Sequence, residues 1–212
     1  LDEIAGEARE IGAVNTVTIS QDGATAGHNT DRIGFRRSFE EQLGAASVRG
    51  KTATLVGAGG AGRAVAFALF DLGVDTLLVN DSRPEQAKTL AEALAAHFGP
   101  GRAQVAANPE AAISQSAGVV NATPVGMLGV PGNPIPSCAI TAKHWVADVI
   151  YTPLETECIT VARARGARVM GGAGMCVHQA AETFKLFTGI PADTQRLQRT
   201  FAIAAAAREK SL

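Results

Sequence analysis

Gly57, Gly59 and Gly62 make a G-x-G-x-x-G pattern inside the run VGAGGAGRA, Val56 to Ala64. An apolar, strand-like segment from Thr52 to Val56 precedes it, and a helix-forming segment from Gly60 to Leu72 follows. In that setting each glycine has a task. The first permits a tight turn, the second lets backbone approach a diphosphate, and the third lets the helix pack close to the strand. The diphosphate would rest on the helix N-terminus, where free N–H groups and the helix dipole favour an anion. Gly57, Ala58, Gly59, Gly60, Ala61 and Gly62 are thus the expected cradle of a dinucleotide.

Which dinucleotide depends on the end of the next strand, Thr76–Asn80. Asn80 and Asp81 stand there, Asp81 19 positions beyond Gly62. A carboxylate at this place accepts hydrogen bonds from the ribose hydroxyls of NAD. It opposes the 2′-phosphate of NADP, since two unit charges ~4 Å apart repel by roughly 4 kcal/mol at an effective dielectric near 20, before screening. Asp81 therefore favours NAD. NADP is the alternative, because Arg83 is near enough to hold a 2′-phosphate.

Four further blocks resemble shikimate dehydrogenase and its quinate-oxidising relatives. They are Gly12-Ala13-Val14-Asn15-Thr16, Gly27-His28-Asn29-Thr30-Asp31-x-x-Gly34, Asn121-Ala122-Thr123-Pro124-x-Gly126-Met127 and Gly174-Met175-x-x-His178-Gln179-Ala180. With the glycine loop and Asp148-x-x-Tyr151-x-Pro153, the resemblance spans nearly the whole chain. It implies an oxidoreductase that moves a hydride between a nicotinamide and a ring hydroxyl of quinate or shikimate, giving the 3-dehydro ketone. Asp81 and the His178-Gln179 pair are closer to the NAD-using quinate/shikimate branch than to the NADP-using biosynthetic branch.

The resemblance gives the polar residues roles. Asn15 lies in a strand, and its amide can both donate to and accept from a ring hydroxyl; taken alone, it is a structural amide. Asp31 precedes a helix and is first an N-cap candidate. As a site residue it accepts from a substrate hydroxyl and orients a neighbouring lysine. An unperturbed Asp, with a pKa of about 3.9, is charged at pH 7 and a poor proton donor. Gln179 would reach a hydroxyl or carboxylate, and Tyr151 would offer its hydroxyl at the cleft. Ala122, Thr123, Val149, Gly172 and Met175 are expected at the nicotinamide, at the carboxyl ends of the strands. In the family the general acid/base is a lysine beside the aspartate, and a serine pair holds the substrate carboxylate. Both would precede Leu1, and Lys51 has no position that suggests a replacement. A dinucleotide-binding module that does not turn over is the alternative of another class. His178 is read as a satisfied helix histidine.

These residues need a frame. Helical spacing of Leu1, Ile4, Ala5, Ala8 and Ile11, with no start signal, predicts a helix over Leu1 to Ile11 and a segment upstream that is absent. Strands are expected over Ala13–Ser20 and Ala24–Asn29, then a helix over Arg32–Leu43. From Thr52, strands alternate with helices, which implies a doubly wound parallel sheet of Rossmann type. Helix Gly60–Leu72 is expected to close at Gly73, and helix Arg83–Phe98 to open on a capping box, Ser82-x-x-Glu85, with Pro84 in its first turn. A strand at Gln104–Ala106, a short helix at Asn108-Pro109, strands Gly118–Asn121, Trp145–Val149 and Arg168–Met170, and helices Leu154–Arg165, Gly174–Thr188 and Asp193–Arg208 complete the reading. Residues 1–47 would be the remnant of an α/β substrate domain, 48–170 the dinucleotide domain, and 171–212 helices that return to the first.

Composition bounds the rest. The chain has 212 residues, 46% of them hydrophobic, enough for a substantial core. A net charge of −1 gives no reason to expect nucleic acid or an anionic membrane. The apolar runs are too short to span a bilayer. Cys138, Cys158 and Cys176 form no CxxC pair, which suits reduced thiols in the cytoplasm. His28, His97, His144 and His178 are scattered without ligand spacing, so no metal is expected. The expected partner is a small-molecule substrate, and the protein a monomer or homodimer.

Overall fold

A computed structural model describes residues 1–209. Its larger sheet has six parallel strands. They are β4 (Thr52–Val56), β5 (Thr76–Asn80), β6 (Ala103–Val105), β7 (Gly118–Asn121), β8 (Trp145–Asp148) and β9 (Arg168–Met170). Their spatial order is β6-β5-β4-β7-β8-β9. The chain winds outward one way from β4 and then the other from β7. That leaves a crevice between the carboxyl ends of these two strands, the topological switch point of a Rossmann fold. β7 and β8 are buried along their whole length, as parallel strands covered on both faces must be.

Helix α3 (Gly60–Asp71) follows β4 and is buried at every position from Ala64 to Phe70. It packs under the sheet on one side and against α2 (Asp31–Gln42) and α4 (Pro84–Phe98) on the other. Trp145 anchors the sheet to α2. Its indole is buried, meets Phe39 edge-on at 5.0 Å and donates to the Ser47 carbonyl over 3.2 Å. Two short helices, α5 (Pro109–Ser114) and α6 (Glu157–Ala164), cover the β7 and β8 side.

The amino-terminal part builds a second sheet of β1 (Glu3–Ile4), β3 (Thr25–His28) and β2 (Thr16–Ile19), in that order. β2 and β3, both within segments expected to be strands, pair antiparallel. The helix expected over Leu1 to Ile11 is only half there. Glu3–Ile4 pairs in parallel with β3, and the helix α1 (Gly6–Ile11) starts after it. The Asp2 carboxylate accepts from the Thr25 N–H over 2.8 Å, a bond that favours the extended start. Helix α7 (Ala173–Thr188) returns to pack on α2, and α8 (Thr194–Glu209) follows it.

Several helix starts differ from expectation for local reasons. The Asn29 side chain, not Asp31, caps α2, accepting from the N–H groups of Asp31 and Arg32. The Ser82–Glu85 box does not form. Asp81 takes the Arg83 N–H over 2.8 Å, and α4 starts at Pro84 with no side-chain cap. Helix α6 starts at Glu157 instead of Leu154, capped by Thr156. α3 ends at Asp71, and Gly73 follows at φ +88°. No helix among the described residues is long and apolar enough to cross a membrane.

Candidate active site

The turn after β4 is welded to the loop after β7. Gly57 has φ +104°, and a Cβ on it would stand 2.6 Å from the Ala122 carbonyl oxygen. A Cβ on Gly62 would run into the Gly57 carbonyl. Those two glycines are required by packing. Gly59 is different: a Cβ there meets nothing within 4 Å and would project into open cleft. The first backbone bond into α3 runs from Arg63 N–H to the Gly59 carbonyl, 2.8 Å. The N–H groups of Gly60, Ala61 and Gly62 precede it and have no intrahelical acceptor. The loop thus has the shape and the free donors a diphosphate needs.

Two spaces open on either side of Gly59 and Gly60. One, of about 390 Å³, runs between the glycine loop, Arg63 and the start of α4. The other, of about 560 Å³, lies between Ala61, the Ala122-Thr123 turn and the segment Val149 to Thr152. Asp81 sits beside the first. Its carboxylate accepts from Ala58 N–H at 2.7 Å and from Arg83 N–H at 2.8 Å. Asn80 is tied by its side chain to the Ala106 carbonyl, 2.7 Å, which fixes the end of β5. The Arg83 side chain is exposed.

Beyond Val149 and Tyr151 lies a third space of about 240 Å³. Asn15, Asp31, Met175, Cys176 and Gln179 complete its lining. The sheet side, α2 and α7 all contribute. Gly34 lets α2 and α7 approach, since a Cβ there would be 2.9 Å from both Gln179 Cβ and the Met175 carbonyl. Gly34 is the reason Asp31 and Gln179, 148 residues apart in sequence, share one pocket. Burial lifts the Asp31 carboxyl above the ordinary carboxylate range, opposed by a hydrogen bond from Asn15. The unperturbed value assumed from sequence does not apply to it.

Asn15 is largely engaged within the protein. Its Oδ1 accepts from the Thr30 N–H (2.9 Å) and the Thr16 hydroxyl (3.0 Å), and its Nδ2 donates to Thr30 Oγ1 (3.0 Å). It shapes the pocket by holding its neighbours. Gln179 Oε1 accepts from the Thr30 hydroxyl at 3.2 Å. Tyr151 is half-exposed, its ring edge against Phe201. Met175 is buried and Gly172 lies under the carbonyls of Val149 and Ile150, so both support the pocket floor.

Three groups escape a reading of the sequence. Thr30 and Thr183 complete the hydroxyl cluster, 3.2 Å apart, and only the packing of α7 on α2 brings them together. Cys176 enters the pocket from the same helix turn as Gln179. Asn121 and Asp148 join the ends of β7 and β8, and burial lifts the Asp148 carboxyl as well. Thr30, Asn121 and Asp148 stood in the quoted motifs, but nothing in their spacing marks their partners. Among the described residues, no group of three or more His, Cys, Asp or Glu side chains is placed to hold a metal ion.

Sheet order, glycine turn and cleft define the class: a Rossmann-type α/β oxidoreductase with a polar pocket at one end of its dinucleotide cleft. Within that class, the chain belongs to the shikimate dehydrogenase family. Residues 172–200 match the model of the shikimate 5′-dehydrogenase C-terminal domain. The chain is 46% identical over 205 residues to a quinate/shikimate dehydrogenase (NAD(+)) of Corynebacterium efficiens, covering 95% of this chain and 71% of that one. It is also 46% identical over 200 residues to a shikimate dehydrogenase (NADP(+)) of Streptomyces avermitilis, covering 93% of this chain and 67% of that one. Quinate dehydrogenase from Corynebacterium glutamicum, solved in complex with NAD, superposes with a TM-score of 0.87 at 42% identity, over 95% of this chain and 72% of that one.

Proposed function

We propose that this protein moves a hydride between NAD and a ring hydroxyl of quinate or shikimate, interconverting the acid and its 3-dehydro ketone. One observation carries the reading. The pocket holding Asp31 and Gln179 shares the wall of Val149 and Tyr151 with the cleft at the glycine loop. A ring alcohol bound to those side chains faces the cofactor end of the cleft.

The nicotinamide, when bound, supplies the hydride acceptor. The chain's own residues bind, orient and exclude water. The half-buried Asp31 accepts a hydrogen bond from the reacting hydroxyl, which compensates the cost of keeping its carboxylate ionised. Gln179 donates to a second ring oxygen. Asn15 and Thr30 hold Asp31 and Gln179 in place, Tyr151 closes the side, and buried Met175 keeps the floor dry. The family resemblance assigns proton transfer to a lysine, and no lysine lines this pocket among the described residues. The adenosine end lies at Asp81, whose carboxylate favours the unphosphorylated ribose of NAD. In this reading residues 1–47 and 171–212 carry the substrate side and 48–170 the cofactor side, in a cytoplasmic monomer or homodimer.

A second reading, NADP-dependent oxidation of shikimate, is favoured by the exposed Arg83 two residues past Asp81. Initial rates with quinate and shikimate, each with NAD and NADP, separate the two. Faster turnover with NADP at equal concentration reverses the cofactor assignment. Calorimetric binding of NAD with no oxidation of either acid identifies a nucleotide-binding module that does not turn over.

A further inference from the structure

Arg63, the fourth residue of α3, has an unusual setting. It is half-buried, yet no carboxylate among the described residues lies within ion-pair distance of it. Burial pulls its pKa down. A partly desolvated cation without a counter-charge is costly unless something anionic completes it. One edge of the guanidinium is fixed. Nε donates to the Ile11 carbonyl over 2.5 Å, at the C-terminus of α1, where the helix dipole favours a cation. Gly12, at φ +71°, makes room for the rest: a Cβ there would come within 2.7 Å of Nη2. The other N–H donors have no protein acceptor among the described residues, and the side chain lines the space beside Ala58, Gly59 and Gly60, with Glu85 in the same lining but beyond ion-pair distance.

We propose that Arg63 is a diphosphate clamp of the cofactor site, pre-oriented by the Ile11 carbonyl and by the absence of a side chain at Gly12. This rests on the dinucleotide reading above and names a side chain that backbone-based recognition by the glycine loop does not include. The planar guanidinium offers paired donors to phosphate oxygens, and its anchoring removes the ordering cost that a free arginine would carry into binding.

Calorimetry with ADP, adenosine and 2′-AMP on the wild-type protein, Arg63→Gln and Arg63→Lys tests it. Loss of a charge-assisted contact is expected to weaken ADP roughly tenfold or more, with adenosine unchanged and Arg63→Lys recovering part of the loss. Gly12→Ala is expected to weaken ADP as well, and to add nothing in the Arg63→Gln background, because both act through one group. ADP affinity unchanged in Arg63→Gln overturns the clamp. So does a loss confined to 2′-AMP, which moves Arg63 to the ribose phosphate. Equal losses for ADP and adenosine mean a structural role and also overturn it. Wild-type protein that binds neither NAD nor ADP overturns the dinucleotide reading itself, a result distinct from the others.

Discussion

Asn121 donates its side-chain amide to the carboxylate of Asp148 over 3.1 Å, with both residues fully buried at the ends of adjacent parallel strands. The turns at Thr123 and Ile150, which wall the cleft beside the glycine loop, hang from this pair. Asn121 Oδ1 accepts from the N–H and hydroxyl of Thr123, at 2.9 and 2.7 Å. Asp148 accepts from the Ile150 N–H at 3.0 Å and the Thr156 hydroxyl at 2.7 Å. Replacing Asn121 by Leu removes one of three hydrogen bonds to a buried carboxyl group and frees the Thr123 turn. The expected cost is about 1–3 kcal/mol in denaturant unfolding, together with weaker NAD binding by calorimetry. Unchanged stability would show that the pair is incidental.

The glycine loop separates two kinds of glycine. Gly59→Ala is expected to leave the unfolding temperature within a degree or two, since its Cβ meets open space, and to weaken NAD sharply by filling the cleft. Gly62→Ala is expected to lower both, because its Cβ meets the Gly57 carbonyl and overpacking costs about 1–3 kcal/mol. Thermal melts with and without NAD check the contrast; parallel behaviour of the two variants refutes it.

Asp31 predicts a trade between stability and activity. Its folded-state pKa is raised by burial, so its contribution to stability is fully present below the ordinary value of 3.8 and is lost as pH rises through the raised value. Asn in its place carries no ionisation cost. The stability advantage of Asp31→Asn should therefore grow with pH across that window and stay level above it, while turnover collapses and NAD affinity holds. Urea unfolding over a pH series and initial rates measure both sides. A variant less stable than wild type at pH 7 contradicts the reading.

The proposed preference for NAD rests on one charge. Asp81→Asn keeps an oxygen to accept from the Ala58 N–H and removes the repulsion of a 2′-phosphate. The ratio of kcat/KM for NADP over NAD is expected to rise about tenfold or more, equivalent to roughly 1.4 kcal/mol. A constant ratio removes Asp81 from cofactor selection.

Local patterns in the sequence carried the larger sheet well. Its strands are short apolar runs between turn signals, and the glycines mark the strand–helix joint by their own stereochemistry. The amino terminus misled because Leu1, Ile4, Ala8 and Ile11 fit a helix equally well, while the pairing that makes Glu3–Ile4 a strand comes from β3, more than 20 residues away. Asp31, Asn15 and Gln179 were legible through motif order, and Asp81 through spacing. Thr30, Thr183 and the Asn121–Asp148 bond were not. Each depends on elements meeting in space, and a hydroxyl or amide carries no periodicity of its own. Likewise, the expected box at Ser82 does not form: Asp81, one residue earlier, holds the Arg83 N–H, and α4 starts at Pro84 without a side-chain cap.

The separation of the two recognition ends has an evolutionary corollary. Among the described residues, Asp81 bonds only within the β5–α4 turn and the glycine loop, whereas Asp31 and Gln179 belong to the α2–α7 cluster. On the proposed roles, one cellular redox pool can be exchanged for another by altering a single turn, without disturbing the residues proposed to hold the ring acid.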